Sequence, residues 1–116
     1  MEFACKLAGT KVIVVLGHTA CGAVKGACDH VRLGNLTALI NKIEPAVDAV
    51  QFPTDPDLRN SSNINFVNDV AMKNIEMTIN NIRTRSSVLV EMEANGEINI
   101  VGGMYDIVTG KVTYYE

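Results

Sequence analysis

No apolar run in the 116-residue sequence is long enough to cross a membrane. The longest unbroken stretch, Val12 to Leu16, falls far short of the roughly 20 residues a membrane-spanning helix needs. The N-terminus has no basic segment followed by an apolar stretch and a cleavage site, so no export signal is read there. Basic clusters are missing too: 10 Lys and Arg are scattered against 13 Asp and Glu, for a net charge of -3. Such a surface has no positive field to draw in nucleic acid or an anionic membrane. Repeats and low-complexity segments are absent. Cysteine is scarce, and Cys5, Cys21 and Cys28 are an odd number at spacings unlike a secreted disulfide framework. No C-x-x-C pair exists, which disfavours a thiol redox protein; a reducing compartment, and hence the cytoplasm, is the expected location. What remains, 47% hydrophobic and 20% charged residues, is ordinary globular composition sufficient for one domain with a small core.

Residues 2–8 have Phe3, Ala4 and Leu7 at helical spacing, with Cys5 read as core and Gly9 just past the C-terminus. No N-cap precedes this segment, and the pattern predicts a chain that starts inside a larger protein. Lys11 to Leu16 (KVIVVL) is an unbroken β-branched run, as expected of a parallel strand covered on both faces. A helix from Cys21 to about Val31 follows, with small residues for close packing. Asn35 is placed to cap a helix bearing Leu36, Leu39, Ile40, Ile43 and Val47, which Pro45 is expected to kink or restart. Phe52 to Ser62 reads as a surface connection, and 63–85 as a long helix with Val67, Val70, Ala71, Met77 and Ile82 as its apolar stripe. Residues 87–94 fit either a strand or a short helix stopped by Gly96, and helix is preferred. Glu97 to Tyr105 is read as a strand, and Thr109-Gly110 as a turn into a last strand, Lys111 to Tyr115.

The chemistry sits directly after the buried strand, in Gly17-His18-Thr19-Ala20-Cys21-Gly22. His18 and Cys21, three positions apart on a turn entering a helix, can face one point, and imidazole nitrogen with thiolate sulfur is a donor pair that suits zinc. Cys21 would open the helix, where free N–H groups suit an anionic sulfur ligand. The spacing also fits a plain packing role, with the histidine bonded to backbone and the cysteine buried.

The segment VIVVLGHTACGAVKGA resembles the second metal-binding motif of the β-class carbonic anhydrases, in which a strand delivers G-H-x-x-C-G and a helix follows. GNLTALINKIEPAV resembles that family's next helix, NVAMKNIEMTINNIRTRS its long helix, and INIVGGMYDIVTGKVTYY its last core strand and turn. The resemblance therefore spans nearly the whole chain. It implies an α/β fold with a parallel-sheet core flanked by helices, truncated at the N-terminus, so that residues 1–116 form a single partial domain. It implies Zn(2+) as cofactor, held by His18 and Cys21 among three protein ligands, and reversible hydration of carbon dioxide to bicarbonate.

The family takes its other cysteine ligand, and an Asp-Arg pair near the metal-bound water, from a C-x-D-x-R motif on an earlier strand. No such motif occurs here: Cys5 precedes Lys6-Leu7-Ala8, and Cys28-Asp29-His30-Val31-Arg32 has the wrong spacing. Weak or absent zinc and negligible hydration are the expectation for this chain alone, and no catalytic base is identified. Donors from another chain, such as Cys28, Asp29 or His30, are one way to complete the shell. An apolar strand edge left without its neighbour predicts a homo-oligomer. The rival reading is a non-catalytic α/β binding or assembly module that keeps the His18–Cys21 turn for packing. Among the other polar residues, Cys28 is read as a packed thiol, His30 as a helix-end residue, and Asp106 as the side chain that fixes the 109–110 turn. Asp55, Asp57 and Asn60 are read as solvated loop.

Overall fold

A computed structural model describes residues 1–115. The chain runs through α1 (Glu2–Lys6), β1 (Val12–His18), α2 (Gly22–Cys28), α3 (Leu36–Ala49), a 3-10 turn (Pro56–Leu58), α4 (Ile64–Arg85), α5 (Ser87–Ala94), β2 (Asn99–Tyr105) and β3 (Val112–Tyr115). The three strands form one sheet in the order β1-β2-β3. β1 and β2 are parallel, paired from Val12 with Asn99 to His18 with Tyr105, as a β-branched strand followed by a helical crossover dictates. β3 returns antiparallel to β2 through a turn in which Asp106 accepts from the Val108 and Thr109 amides, the role read for it in sequence. The sheet is therefore mixed.

The long helix α4 is the spine. Asn63 caps it by accepting from the Phe66 amide, and its Phe66, Val67, Val70, Ala71, Ile75, Ile79 and Ile82 are buried. Val67, Val70, Ala71 and Ile82 are buried as the stripe predicts, whereas Met77 is half-buried and Ile75 and Ile79 make the contact with the sheet. That contact is close because the strands present glycine: a Cβ on Gly17 would lie 2.6 Å from Ile75 Cδ1, and one on Gly102 would lie 2.9 Å from both Ile75 Cγ2 and Tyr115 Cε2. Residues of α2 and α3 pack on the first half of α4, and Cys5, Leu89, Met92, Ile98 and Ile100 on the second.

Residues 87–94 are helical. Ser86 accepts from the Leu89 amide and donates its hydroxyl to Glu2, while Arg83 makes a two-pronged pair with Glu93, 2.8 Å in each arm, across the α4–α5 corner. The 52–62 connection is tied down by Arg59, whose guanidinium donates to the Val47, Val50 and Pro53 carbonyls and stacks over Phe66.

Three details differ from the sequence pattern. Helix α3 runs unbroken through Pro45, which lies on its exposed side, where water can take the Asn41 carbonyl that proline leaves without an N–H. Helix α2 stops at Cys28, short of Val31, in a Schellman ending: the Val31 amide donates to Gly26 and the His30 amide to Ala27, with His30 in the left-handed region at φ 55°. Strand β1 is not covered on both faces. Helix α4 packs on the side of Ile13 and Val15, and Val12, Val14 and Leu16 remain 47%, 45% and 55% exposed. Phe3 of α1 and Leu7 just past its end are likewise exposed, so that helix buries Cys5.

Candidate functional site

The Gly17–Gly22 turn lies where β1 ends and α2 begins, at the carboxyl end of the parallel strands, the position where open α/β sheets place functional groups. It is held from three directions. The Thr19 amide donates to the Tyr105 carbonyl at 2.9 Å, the Ile107 amide donates to Thr19 Oγ1 at 3.1 Å, and the Ala20 amide donates to Asn68 Oδ1 at 3.0 Å. Thus β2, the β2–β3 turn and α4 all fix the two residues that separate His18 from Cys21. Ala20 is left-handed, φ 51°, a conformation that costs a residue with a Cβ about 1–2 kcal/mol and that these bonds maintain.

His18 is the last residue of β1, and its Nδ1 lies 2.9 Å from the Thr19 carbonyl. A carbonyl only accepts, so as a hydrogen bond this contact takes the ring proton on Nδ1, and a neutral ring then keeps its Nε2 lone pair for a metal. Cys21 is the residue before α2, in extended backbone, half-buried and without a disulfide. His18 and Cys21 line the same hollow of about 190 Å³, whose walls come from β1, from Val24 and Ile43, and from the Ala71–Thr78 part of α4.

The donor set stops there. Among the described residues no group of three or more His, Cys, Asp or Glu side chains is placed to hold a metal ion. A zinc site takes three protein ligands plus water, or four in all, so the two donors of this turn do not by themselves fit the ion. The other polar candidates are engaged elsewhere. Cys28 is buried in the core, and desolvation, with Asp29 beside it, pushes its thiol up to about 11. The Ser61 side chain, and its amide donating at 2.8 Å, hold the Asp29 carboxyl below the ordinary value. His30 Nδ1 lies 3.6 Å from Glu44, whose carboxyl Arg32 also holds low. Cys5 belongs to the second core cluster, and Asp55 accepts from the Asp57 amide within its own turn. Asn68, which shapes the candidate turn from 48 residues away, carries no signal in the sequence.

The sequence model described as Carbonic anhydrase matches residues 1–112. The chain belongs to the carbonic anhydrase family. Carbonic anhydrase 2 of Mycobacterium tuberculosis is 27% identical over 116 residues, covering 96% of this chain and 52% of its own. The carbonic anhydrase of Mycolicibacterium smegmatis is 24% identical, covering 97% and 52%. Among solved structures, the β-carbonic anhydrase CafA of Aspergillus fumigatus matches with a TM-score of 0.81 at 27% identity, over 99% of this chain and 53% of that one. The Coccomyxa β-carbonic anhydrase, solved with acetazolamide, shares the fold with a TM-score of 0.74 at 23% identity. The chain spans about half the length of the relatives it matches. Its fold is that of the β class, and carbon dioxide hydration is the general reaction of the carbonic anhydrase family to which it belongs.

Proposed function

We propose that this chain supplies the His18–Cys21 half of a β-carbonic anhydrase zinc site, and that reversible hydration of carbon dioxide to bicarbonate requires the C-x-D-x-R half that its 116 residues do not contain. The observation that carries the reading is the anchored turn. His18 has its Nδ1 against a backbone carbonyl and lines one hollow together with Cys21. Family membership supports reading that pair as metal ligands.

The roles follow from chemistry. In this reading His18 offers a neutral nitrogen and Cys21 an anionic sulfur, in a hollow walled by Val24, Ile43, Ala71 and Ile75 with Asn74 and Thr78 as its other polar side chains. When zinc is bound in a complete site it supplies a water acidified to near neutrality. The chain by itself has two donors, so tight zinc binding and measurable hydration are not expected of it. Carbon dioxide and bicarbonate are the substrates, and the exposed apolar face of the sheet favours a homo-oligomer. No helix among the described residues is long and apolar enough to cross a membrane. The cytoplasm is the location its cysteine usage favours.

A specific observation favours the rival module reading as well: the turn is satisfied by protein hydrogen bonds at Thr19 and Ala20 without a metal. Zinc content separates the two. On the enzyme-half reading the purified chain takes up zinc weakly, Cys21→Ser abolishes that uptake, and neither form hydrates carbon dioxide measurably in a stopped-flow indicator assay. If Cys21→Ser leaves zinc content unchanged, the turn is a packing element and the module reading stands. Tight one-to-one zinc with rapid hydration by the isolated chain overturns both.

A further inference from the structure

Of the asparagines in the chain only Asn95 is followed by glycine, in the stretch Glu91-Met92-Glu93-Ala94-Asn95-Gly96-Glu97. The pair closes helix α5. The Asn95 amide donates to the Glu91 carbonyl at 3.0 Å, the Gly96 amide to that of Glu93 at 3.1 Å and the Glu97 amide to that of Met92 at 2.9 Å, with Gly96 left-handed at φ 74°. All three bonds run from backbone to backbone, so the cap makes no use of the Asn95 carboxamide, and Asn95, Gly96 and Glu97 are exposed. Asn60, which precedes the small residue Ser61, is held by contrast: its Nδ2 donates to the Asp57 carbonyl and its Oδ1 accepts from the Ser62 amide.

The Asn95 carboxamide carbon is an electrophile, and the next backbone nitrogen, that of Gly96, is a nucleophile that no side chain shields. We propose that Asn95 and Gly96 form a self-modifying site, at which the chain converts Asn95 to aspartate and isoaspartate with water as the one co-reactant. The Gly96 nitrogen gives up its proton and bonds to Asn95 Cγ, while the Cγ–Nδ2 bond breaks and Nδ2 leaves with that proton as ammonia. The product is a cyclic imide in which the Gly96 nitrogen is joined both to Cγ and to the Asn95 backbone carbonyl carbon. Water then opens one of these two C–N bonds. Opening at Cγ leaves aspartate in an ordinary main chain. Opening at the backbone carbon leaves isoaspartate, with the main chain routed through Cγ and longer by one methylene. Nothing is oxidised or reduced in either step.

The helix end sets the pace. Asn95 has ψ 0°, which turns the Gly96 nitrogen toward the nitrogen of Asn95 itself and away from its Cβ. Ring closure needs the Gly96 nitrogen on the Cβ side, and the rotation that takes it there breaks the Gly96 and Glu97 cap bonds. The reaction therefore runs through the opened end of α5. Its products keep that end open. Aspartate adds a negative charge at the carboxyl end of a helix whose last turn holds Glu91 and Glu93 and no basic residue. The added methylene of isoaspartate shifts Gly96 and Glu97 from the Glu93 and Met92 carbonyls, just before Ile98 and Ile100, which share a core cluster with Leu89 and Met92. The site adjoins the amino end of β2, whose other end pairs with His18, so the change falls away from the His18–Cys21 turn.

Warm incubation of the purified chain for several weeks in mildly alkaline buffer, followed by proteolysis and peptide mass spectrometry, tests the site. The expected result is an amide-to-acid mass gain that is fastest in the peptide holding Asn95 and resolves into aspartate and isoaspartate forms, isoaspartate the larger. In heavy-oxygen water each form takes up one labelled oxygen. Asn95→Gln, whose longer arm closes the ring poorly, is expected to abolish the gain. In urea, where no cap restrains the Gly96 nitrogen, the unsubstituted chain is expected to react several-fold faster than in native buffer. Hydrogen exchange of the aged chain is expected to be faster than that of the fresh chain at Gly96 and Glu97 and unchanged at Thr19 and Ala20. An Asn95 that stays intact in the native chain overturns the proposal, as does faster reaction at another asparagine. So does aspartate formed without isoaspartate, which shows direct amide hydrolysis with no ring. Equal rates with and without urea, or unchanged exchange at Gly96 and Glu97 after ageing, overturn the control by the α5 cap.

Discussion

Asn68 is the residue on which the His18–Cys21 turn rests most directly, because its side-chain oxygen takes the amide of Ala20, the one residue of the turn in a left-handed conformation. Asn68→Ala removes that acceptor and is expected to cost about 1 kcal/mol of stability. Faster hydrogen exchange at the Ala20 amide, with the α5 amides unaffected, is the local signature to look for. At the far end of α2, His30 occupies the left-handed position that glycine usually fills. His30→Gly is expected to raise stability by about 0.5–1 kcal/mol in thermal or urea unfolding, the strain relieved exceeding the added entropy of the unfolded glycine. At this scale G-H-x-x-C-G after a β-branched strand pointed to His18 and Cys21 as the candidate pair, and the Asp106 turn was legible in Asp-x-x-Thr-Gly. Asn68 and Arg59 were not legible, since their partners are set by tertiary approach and an asparagine or arginine on a polar surface looks like any other.

At the scale of elements, the contact between α4 and the sheet depends on the absence of side chains at Gly17 and Gly102. Gly102→Ala forces a methyl against Ile75, Ile79 and Tyr115 together, and the expected loss is about 1–3 kcal/mol, read as a lowered urea midpoint with an unchanged slope. Strands, crossover helices and the long α4 were readable from periodicity, and the Ser86 cap decided residues 87–94 in favour of helix. The face of α4 that meets the sheet was read less well. Its apolar residues at 75 and 79 compete with Met77 for the same turns, and only the glycines across the interface show which side comes closest. The open face of β1 was not legible at all, because an all-aliphatic run looks the same whether one face or two are covered.

For the whole molecule, the buried thiol of Cys28 links stability to alkaline pH. Its folded value of about 11 lies above the ordinary 9.0, so between these pH values the unfolded chain has released a proton that the folded chain keeps. Stability contributed by the neutral thiol is complete below pH 9 and is lost as pH rises through that window. Cys28→Ala is expected to flatten this limb in a series of urea titrations, at the expense of some core packing. The acid limb has the opposite sign: Asp29, Glu44 and Glu93 are all held low by their partners, so their contribution is present above the ordinary carboxylate range and fades as pH falls through the lowered values. Both limbs belong to the fold around α4 and are separate from the proposed division of the zinc site, in which this chain supplies His18 and Cys21.

Cobalt(II), which takes zinc sites and reports thiolate ligation by a sulfur-to-metal charge-transfer absorption, tests that division most directly. Titrated into the reduced chain, it is expected to give this band only with metal in large excess, and to lose it in Cys21→Ser while Cys28→Ala leaves it intact. A band that saturates at one equivalent, or one that survives Cys21→Ser, would contradict the assignment of His18 and Cys21 as half of a shared metal site.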